Sequence, residues 1–86
     1  MKWKNIKLIK AMKIKLFGML ADKAQADEIE VSDVSTKEQL IQKVNKNHPS
    51  FNGLEYKVCV NQTISQGDQH ISPDDEIALL PPYAGG

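Results

Sequence analysis

The most constraining feature of the chain is a lone helix signal set between segments of alternating polarity. Ser35-Thr36-Lys37-Glu38 has the form of a capping box, in which the serine oxygen accepts from the Glu38 amide and the Glu38 side chain reaches back. Leu40, Ile41 and Val44 then fall on one stripe at helical spacing. Asn47-His48-Pro49 ends the run, because the residue before a proline is pushed out of the α region. The prediction is one main helix of about three turns with a single apolar face. With no second helix to pack on, that face must lie across a sheet.

The rest of the pattern supplies the sheet. Lys13-Ile14-Lys15-Leu16 alternates polar and apolar, as a half-buried strand does, and Glu28-Ile29-Glu30-Val31 repeats the alternation, so that the two pair as a hairpin. Phe17-Gly18 follows the first strand, with Gly18 permitting a bend, and Met19 to Ala26 reads as a turn-rich connection. Val58 and Val60 alternate with Lys57 and Cys59 in a third strand. Asn61-Gln62 then suits a tight turn into a short fourth strand at Thr63-Ile64. Ser72-Pro73-Asp74-Asp75 reads as a turn. Ile77-Ala78-Leu79-Leu80 is apolar at consecutive positions, as in a strand covered on both faces, and Pro81-Pro82 stops the pairing at about Leu80. Strand, strand, helix and then three short strands is the order of a β-grasp domain: α+β, a mixed sheet of about five strands, one main helix packed across it.

Eighty-six residues make one small domain with a thin core, which leaves little room for a deep pocket assembled from several elements. Its 41% hydrophobic and 26% charged content is ordinary for a globular chain. The net charge is zero but unevenly spread. All eleven basic residues are lysines, six of them (Lys2, Lys4, Lys7, Lys10, Lys13, Lys15) within the first fifteen positions, and no acid precedes Asp22. Positions 12–86 hold seven lysines against eleven acids, a mildly acidic body that lacks the basic face of a nucleic-acid binder and suits a basic partner surface. No apolar run is long enough to span a membrane. The first eleven residues, MKWKNIKLIKA, are broken by lysines too often for a secretory signal. Trp3, Ile6 and Ile9 could line a short amphipathic helix, or the segment could pair onto the neighbouring sheet. The chain therefore divides into a basic extension at 1–11, a β-grasp domain at 12–80 and a tail at 81–86.

Catalytic constellations are lacking. His48 and His70 have no partner at ligand spacing, so no metal site is expected. A single cysteine, Cys59, excludes an internal disulfide and suits a reducing, cytoplasmic compartment. It reads either as a reactive thiol or as a packed bystander. Asp74-Asp75-Glu76 reads as a solvated turn. No phosphate-binding glycine loop is present, and nothing assembles a nucleophile, a base and an oxyanion site. The chain is expected to be non-catalytic alone.

The informative segment is the end, Leu80-Pro81-Pro82-Tyr83-Ala84-Gly85-Gly86. Two prolines hold the exit extended, and six residues at about 3.3 Å each reach roughly 20 Å from the fold. The last two carry no side chain, so the terminal carboxylate is thin enough to enter a narrow active site. A carboxylate is a poor acyl donor until an adenylate makes its oxygen a good leaving group.

The run from Val60 to Gly86, VNQTISQGDQHISPDDEIALLPPYAGG, resembles the small subunit of molybdopterin synthase, a MoaD-type sulfur carrier of the ubiquitin-like MoaD/ThiS family. The KIKLFG strand and TKEQLIQKV helix extend the resemblance to Met12. Residues 1–11 have no counterpart in it, and Leu80 and Tyr83 stand where phenylalanine and valine are more familiar.

The resemblance implies a division of labour. A ubiquitin-activating-like adenylyltransferase, consuming ATP and magnesium, converts the Gly86 carboxylate to an acyl-adenylate, and a sulfur donor system makes it a thiocarboxylate. The large synthase subunit, in a heterotetramer, takes in the tail, and the Gly86 sulfur attacks cyclic pyranopterin monophosphate on the way to molybdenum cofactor. Gly86 is then the reacting residue. Gly85, Ala84, Tyr83, Pro82, Pro81, Leu80 and Phe17 bind the partner, although a core position is the competing expectation for Phe17. No cofactor, nucleic acid or membrane is implied for this chain. The alternatives are a ThiS-type carrier for thiamine thiazole and a ubiquitin-like protein modifier, both compatible with a diglycine end.

Overall fold

The computed structural model describes residues 11–81, and residues 1–10 and 82–86 lie outside them. Strands β1 (Met12–Leu16), β2 (Glu28–Val31), β3 (Lys57–Val60), β4 (Thr63–Ile64) and β5 (Ile77–Leu80) form one sheet in the order β2-β1-β5-β3-β4. Helix α1 (Met19–Ala24) follows β1, and α2 (Lys37–Asn47) with a 3-10 turn at Pro49–Phe51 connects β2 to β3. The β1–β5 pairing is parallel and the other three pairings are antiparallel. This is the α+β, ubiquitin-like β-grasp arrangement, with a mixed five-stranded sheet and one main helix.

Register follows from the apolar alternation. Ile14 lies opposite Ile29 and Ile77, and Leu79 lies opposite Leu16 and Val58, so one face of the three inner strands is continuous. A one-residue slip would turn that whole face to solvent, which is why the pattern specifies the pairing. Leu40 and Val44 of α2 bury against it, together with Phe51, Leu20 and Ile71. Asn61 and Gln62 take φ of 52° and 70°, the left-handed turn expected there, and join β3 to β4 with Cys59 opposite Ile64.

Three expectations are corrected. The stretch after Gly18 is a helix rather than a turn-rich connection. Met19–Ala24 contains no β-branched residue or proline, Leu20 drops into the core, and Gln25 closes the turn at φ 56°. Six residues are too few to show a period, so only the packing of Leu20 settles them.

The cap of α2 stands one residue later than expected. Thr36 Oγ1 accepts from the Gln39 amide at 3.1 Å, and Gln39 Oε1 accepts from the Ser35 amide at 2.8 Å. Thr36 is thus the cap, the Gln39 side chain reaches one residue further back than in a capping box, to the amide before the cap, and Glu38 is released from the role. The Glu38 amide instead donates to Asp68 Oδ1 at 2.9 Å, while Lys37 Nζ donates to the Ser65 and Gly67 carbonyls.

Strand β5 is not covered on both faces. Ile77 and Leu79 are buried in the core, whereas Ala78 and Leu80 point to the open face of the sheet and are half-buried. Its consecutive apolar residues serve two different surfaces.

Candidate functional site at the root of the tail

Strand β5 lies at the centre of the sheet, so the chain that follows it leaves from the most firmly held element. Leu79 is flanked by Leu16 on one side and Val58 on the other, and Leu80 faces Lys57. Pro81 is the first residue past the ladder and is half-buried. Its missing N–H ends the pairing there. Gly18, between β1 and α1, lies against the proline: a Cβ built on Gly18 would stand 3.0 Å from Pro81 Cγ. Gly18 also holds φ 58° and ψ −133°, a conformation that residues with a side chain rarely adopt. Two local features, a backbone turn and an absent methyl, let the β1–α1 corner close on the root of the tail.

Exposed apolar side chains gather around that root. Phe17 is 47% exposed and Met19 38%, on either side of Gly18. The competing expectation of a core position for Phe17 is therefore overturned, because it follows the last core residue of β1, Leu16, and falls out of phase with it. Leu80 and Ala78 lie on the open face with Cys59, and Cys59 stands opposite Ile64, which is 46% exposed. Sequence reasoning missed Ile64, since a two-residue strand shows no alternation; its phase can be read only by carrying the register of Cys59 across the Asn61-Gln62 turn. An open groove of about 360 Å³ beside the same corner is lined by Phe17, Gly18 and Ala21 with Lys15, Asp27 and Glu28. The structure thus brings Phe17, Leu80 and Pro81 to one end of the sheet. Pro82, Tyr83, Ala84, Gly85 and Gly86 lie outside the described residues.

A central strand that ends in an apolar, proline-led exit is what a carrier of a C-terminal acyl group needs, and the whole stretch from Ile14 to the last residue, 14–86, matches the ThiS family. The chain belongs to the ThiS family. It is a ThiS/MoaD-type, ubiquitin-like sulfur carrier by family. Among solved structures, the chain is similar to SAMP1 from Haloferax volcanii, with 26% identity and a TM-score of 0.73 over 88% of this chain and 99% of that one. A Pyrococcus furiosus chain described as molybdopterin converting factor, subunit 1, superposes with a TM-score of 0.75 at 21% identity, covering 84% of this chain and 97% of that one. The small archaeal modifier protein 1 of Methanosarcina acetivorans gives a TM-score of 0.73 at 20% identity over 93% and 100%. The last two share the fold.

In this ThiS-family chain the other residues singled out by type have structural partners. His48 stacks on Phe51 with ring centroids 5.4 Å apart, and His70 forms a lone bridge with Thr36. Asp75 holds the turn before β5, accepting from the Ser72 amide at 2.8 Å and from Asn61 Nδ2 at 3.1 Å. Glu76 pairs with Lys15 at 3.3 Å on the surface. Cys59 is a buried free thiol between Ala78 and Ile64. Tyr56 donates to Asn45 Oδ1 at 2.8 Å, and burial pushes its phenol up to about 12. Among the described residues no three metal-ligating side chains converge, and no helix is long and apolar enough to cross a membrane.

Proposed function

We propose that the chain is the sulfur-carrier subunit of molybdopterin synthase. The observation that carries this reading is the sequence Pro-Pro-Tyr-Ala-Gly-Gly leaving the end of the central strand β5, in a chain of the ThiS family. An adenylyltransferase activates Gly86: a carboxylate oxygen attacks the α-phosphorus of magnesium-bound ATP, and pyrophosphate leaves. Hydrosulfide from the sulfur donor system attacks the acyl carbon, the bond to AMP breaks, and the thiocarboxylate remains as the sulfur's proton passes to solvent. The large synthase subunit takes in Pro81 to Gly86, docks on Phe17 and Leu80, and supplies the side chains for transfer to cyclic pyranopterin monophosphate. This chain contributes the sulfur, the reach and the docking surface. The Pyrococcus furiosus neighbour supports the assignment by its description as a molybdopterin converting factor subunit.

A second reading rests on the Haloferax neighbour, a small archaeal modifier protein: Gly86 joined to lysines of target proteins instead of carrying sulfur. Both readings, and a ThiS-type carrier for thiazole synthesis, begin from the same adenylate. Intact mass after incubation with the activating enzyme, ATP and a sulfide source separates them. Exchange of one oxygen for sulfur, lost when Gly86 is deleted, supports a carrier, and consumption of the product by the large subunit with cyclic pyranopterin monophosphate supports the molybdopterin pathway. A ladder of higher-mass conjugates overturns the carrier reading in favour of the modifier.

A further inference from the structure

The basic extension has no place in the function above, yet its sequence repeats that of β1. Ile6-Lys7-Leu8 is identical to Ile14-Lys15-Leu16, eight residues on, and each triplet is followed by a large apolar residue, Ile9 or Phe17. In the fold, the second copy of the triplet pairs with β2, placing Ile14 opposite Ile29 and Lys15 opposite Glu28. Strand β2 ends the sheet, so among the described residues its other edge is free. That edge offers what β1 already uses: Glu28 and Glu30 exposed on the open face, and Ile29 and Val31 on the core face. Beyond it, an open groove of about 310 Å³ lies between Val34 and the Gln42–Lys43 side of α2.

We propose that Ile6 to Ile9 of one chain adds antiparallel to the free edge of β2 in a second copy, and that the two chains exchange these segments to make a dimer. Ile6 stands opposite Ile29 and Lys7 opposite Glu28, and the lysines of the extension meet the acidic edge. Added strands gain their affinity from main-chain hydrogen bonds, and an unprotected edge is a template for such pairing. Reach excludes the same arrangement within one chain. Antiparallel to β2, Ile9 would finish level with Phe17, about 19 Å from Met12, given about 3.3 Å per residue along the strand and about 4.8 Å between strands. Three residue steps span about 11 Å. A parallel return within one chain would carry the link to β1 across the β2–α2 connection leaving the same end, a crossing that folds avoid.

Sedimentation of the full chain over a wide concentration range tests this. The Leu16 amide donates to the Asp27 carbonyl, so Ile29 turns its main-chain groups to β1 and Glu28 turns its own to the free edge. The expected result is a reversible dimer that is lost when Lys7→Pro and Ile9→Pro remove the two donors of the segment that point at that edge, and weakened about tenfold by Lys7→Glu, which puts like charges opposite at both symmetric contacts. The described β-grasp fold does not include these positions, so the thermal midpoint of the dilute proteins is expected to be unchanged. A monomer at every concentration overturns the proposal. So does a dimer that survives the proline pair, because another surface would then hold it.

Discussion

Gly18 and Pro81 are 63 positions apart in sequence, yet the proline ring occupies the space that a side chain at Gly18 would need, with Cγ 3.0 Å from the Cβ position. The contact ties the corner after β1 to the first residue of the tail. It complements the parallel ladder between β1 and β5, in which Leu16 faces Leu79 just before both chains leave the sheet. The position of Pro81 is thus set by two central strands and one close approach.

Gly18→Val should therefore be costly. Valine disfavours a positive φ and collides with Pro81, so a loss of roughly 1–3 kcal/mol is expected. Chemical denaturation measures it. Adding Pro81→Ala should recover the collision part and leave the backbone part, so a double mutant no more stable than Gly18→Val would show that the two residues do not press on each other.

Thr36→Ala removes the acceptor for the Gln39 amide and should cost about 1 kcal/mol, lowering the thermal midpoint by roughly 4–8 °C. Ser35→Ala should cost less: it removes only the exposed bond that Ser35 Oγ donates to Gln39 Oε1, while the bond that the Ser35 backbone amide donates to the same oxygen survives. Equal losses at the two positions would return the cap to Ser35.

That shifted cap illustrates what the sequence makes legible. Position along the chain was plain: the alternation at Lys13–Leu16 and Glu28–Val31, the left-handed Asn61-Gln62 and the stop at Pro81 all mark real boundaries, since each rests on local backbone chemistry. Choices settled by tertiary contact were not. Glu38 and Gln39 are both competent box partners, and it is Asp68, thirty residues away, that takes the Glu38 amide. Likewise Leu20 turns an ambiguous stretch into α1 only because a core is there to receive it. At the tail root, Leu80 could be assigned to the open face from its phase against Leu79, but Ile64 and the Gly18–Pro81 contact depend on pairings that no local pattern contains.

Tyr56 makes stability pH-dependent in the alkaline range. Its folded value, about 12, lies above the ordinary 10, so between these values the unfolded chain gives up the phenolic proton while the folded chain keeps it. Tyr56's contribution is complete below pH 10 and is lost as pH rises toward 12. Tyr56→Phe should flatten this part of the decline, as read by urea midpoints at pH 9 and 11. An unchanged slope in the mutant would assign the decline to other groups.

Leu80→Glu should separate docking from folding. Leu80 is half-buried on the open face and faces Lys57, with which a glutamate could pair, so the stability loss should be small beside the roughly 2–5 kcal/mol of Leu79→Ala in the core. Binding to the large synthase subunit should fall by more than tenfold, since a charge would enter an apolar contact. Calorimetry on both variants decides it, and equal binding by Leu80→Glu and the parent would remove Leu80 from the interface.

The activating enzyme and the large synthase subunit should compete for this chain. On the function proposed above both must reach the Gly86 carboxyl, and the chain leaves the sheet at one place, between Lys57 and the Phe17–Gly18 corner. Six residues project at most about 20 Å from Pro81, so an active site closed around the tip brings its own protein surface down onto Leu80 and Phe17. Two such surfaces need the same few side chains, and the tip cannot lie in two tunnels at once. Exchange after loading then requires that the complex with the activating enzyme dissociate readily. Titrating the large subunit into a preformed complex with the activating enzyme should displace the carrier one for one, with the apparent affinity falling in proportion to the competitor. A stable assembly holding both enzymes on a single carrier would show that they read different surfaces, and the shared tail root would lose its role.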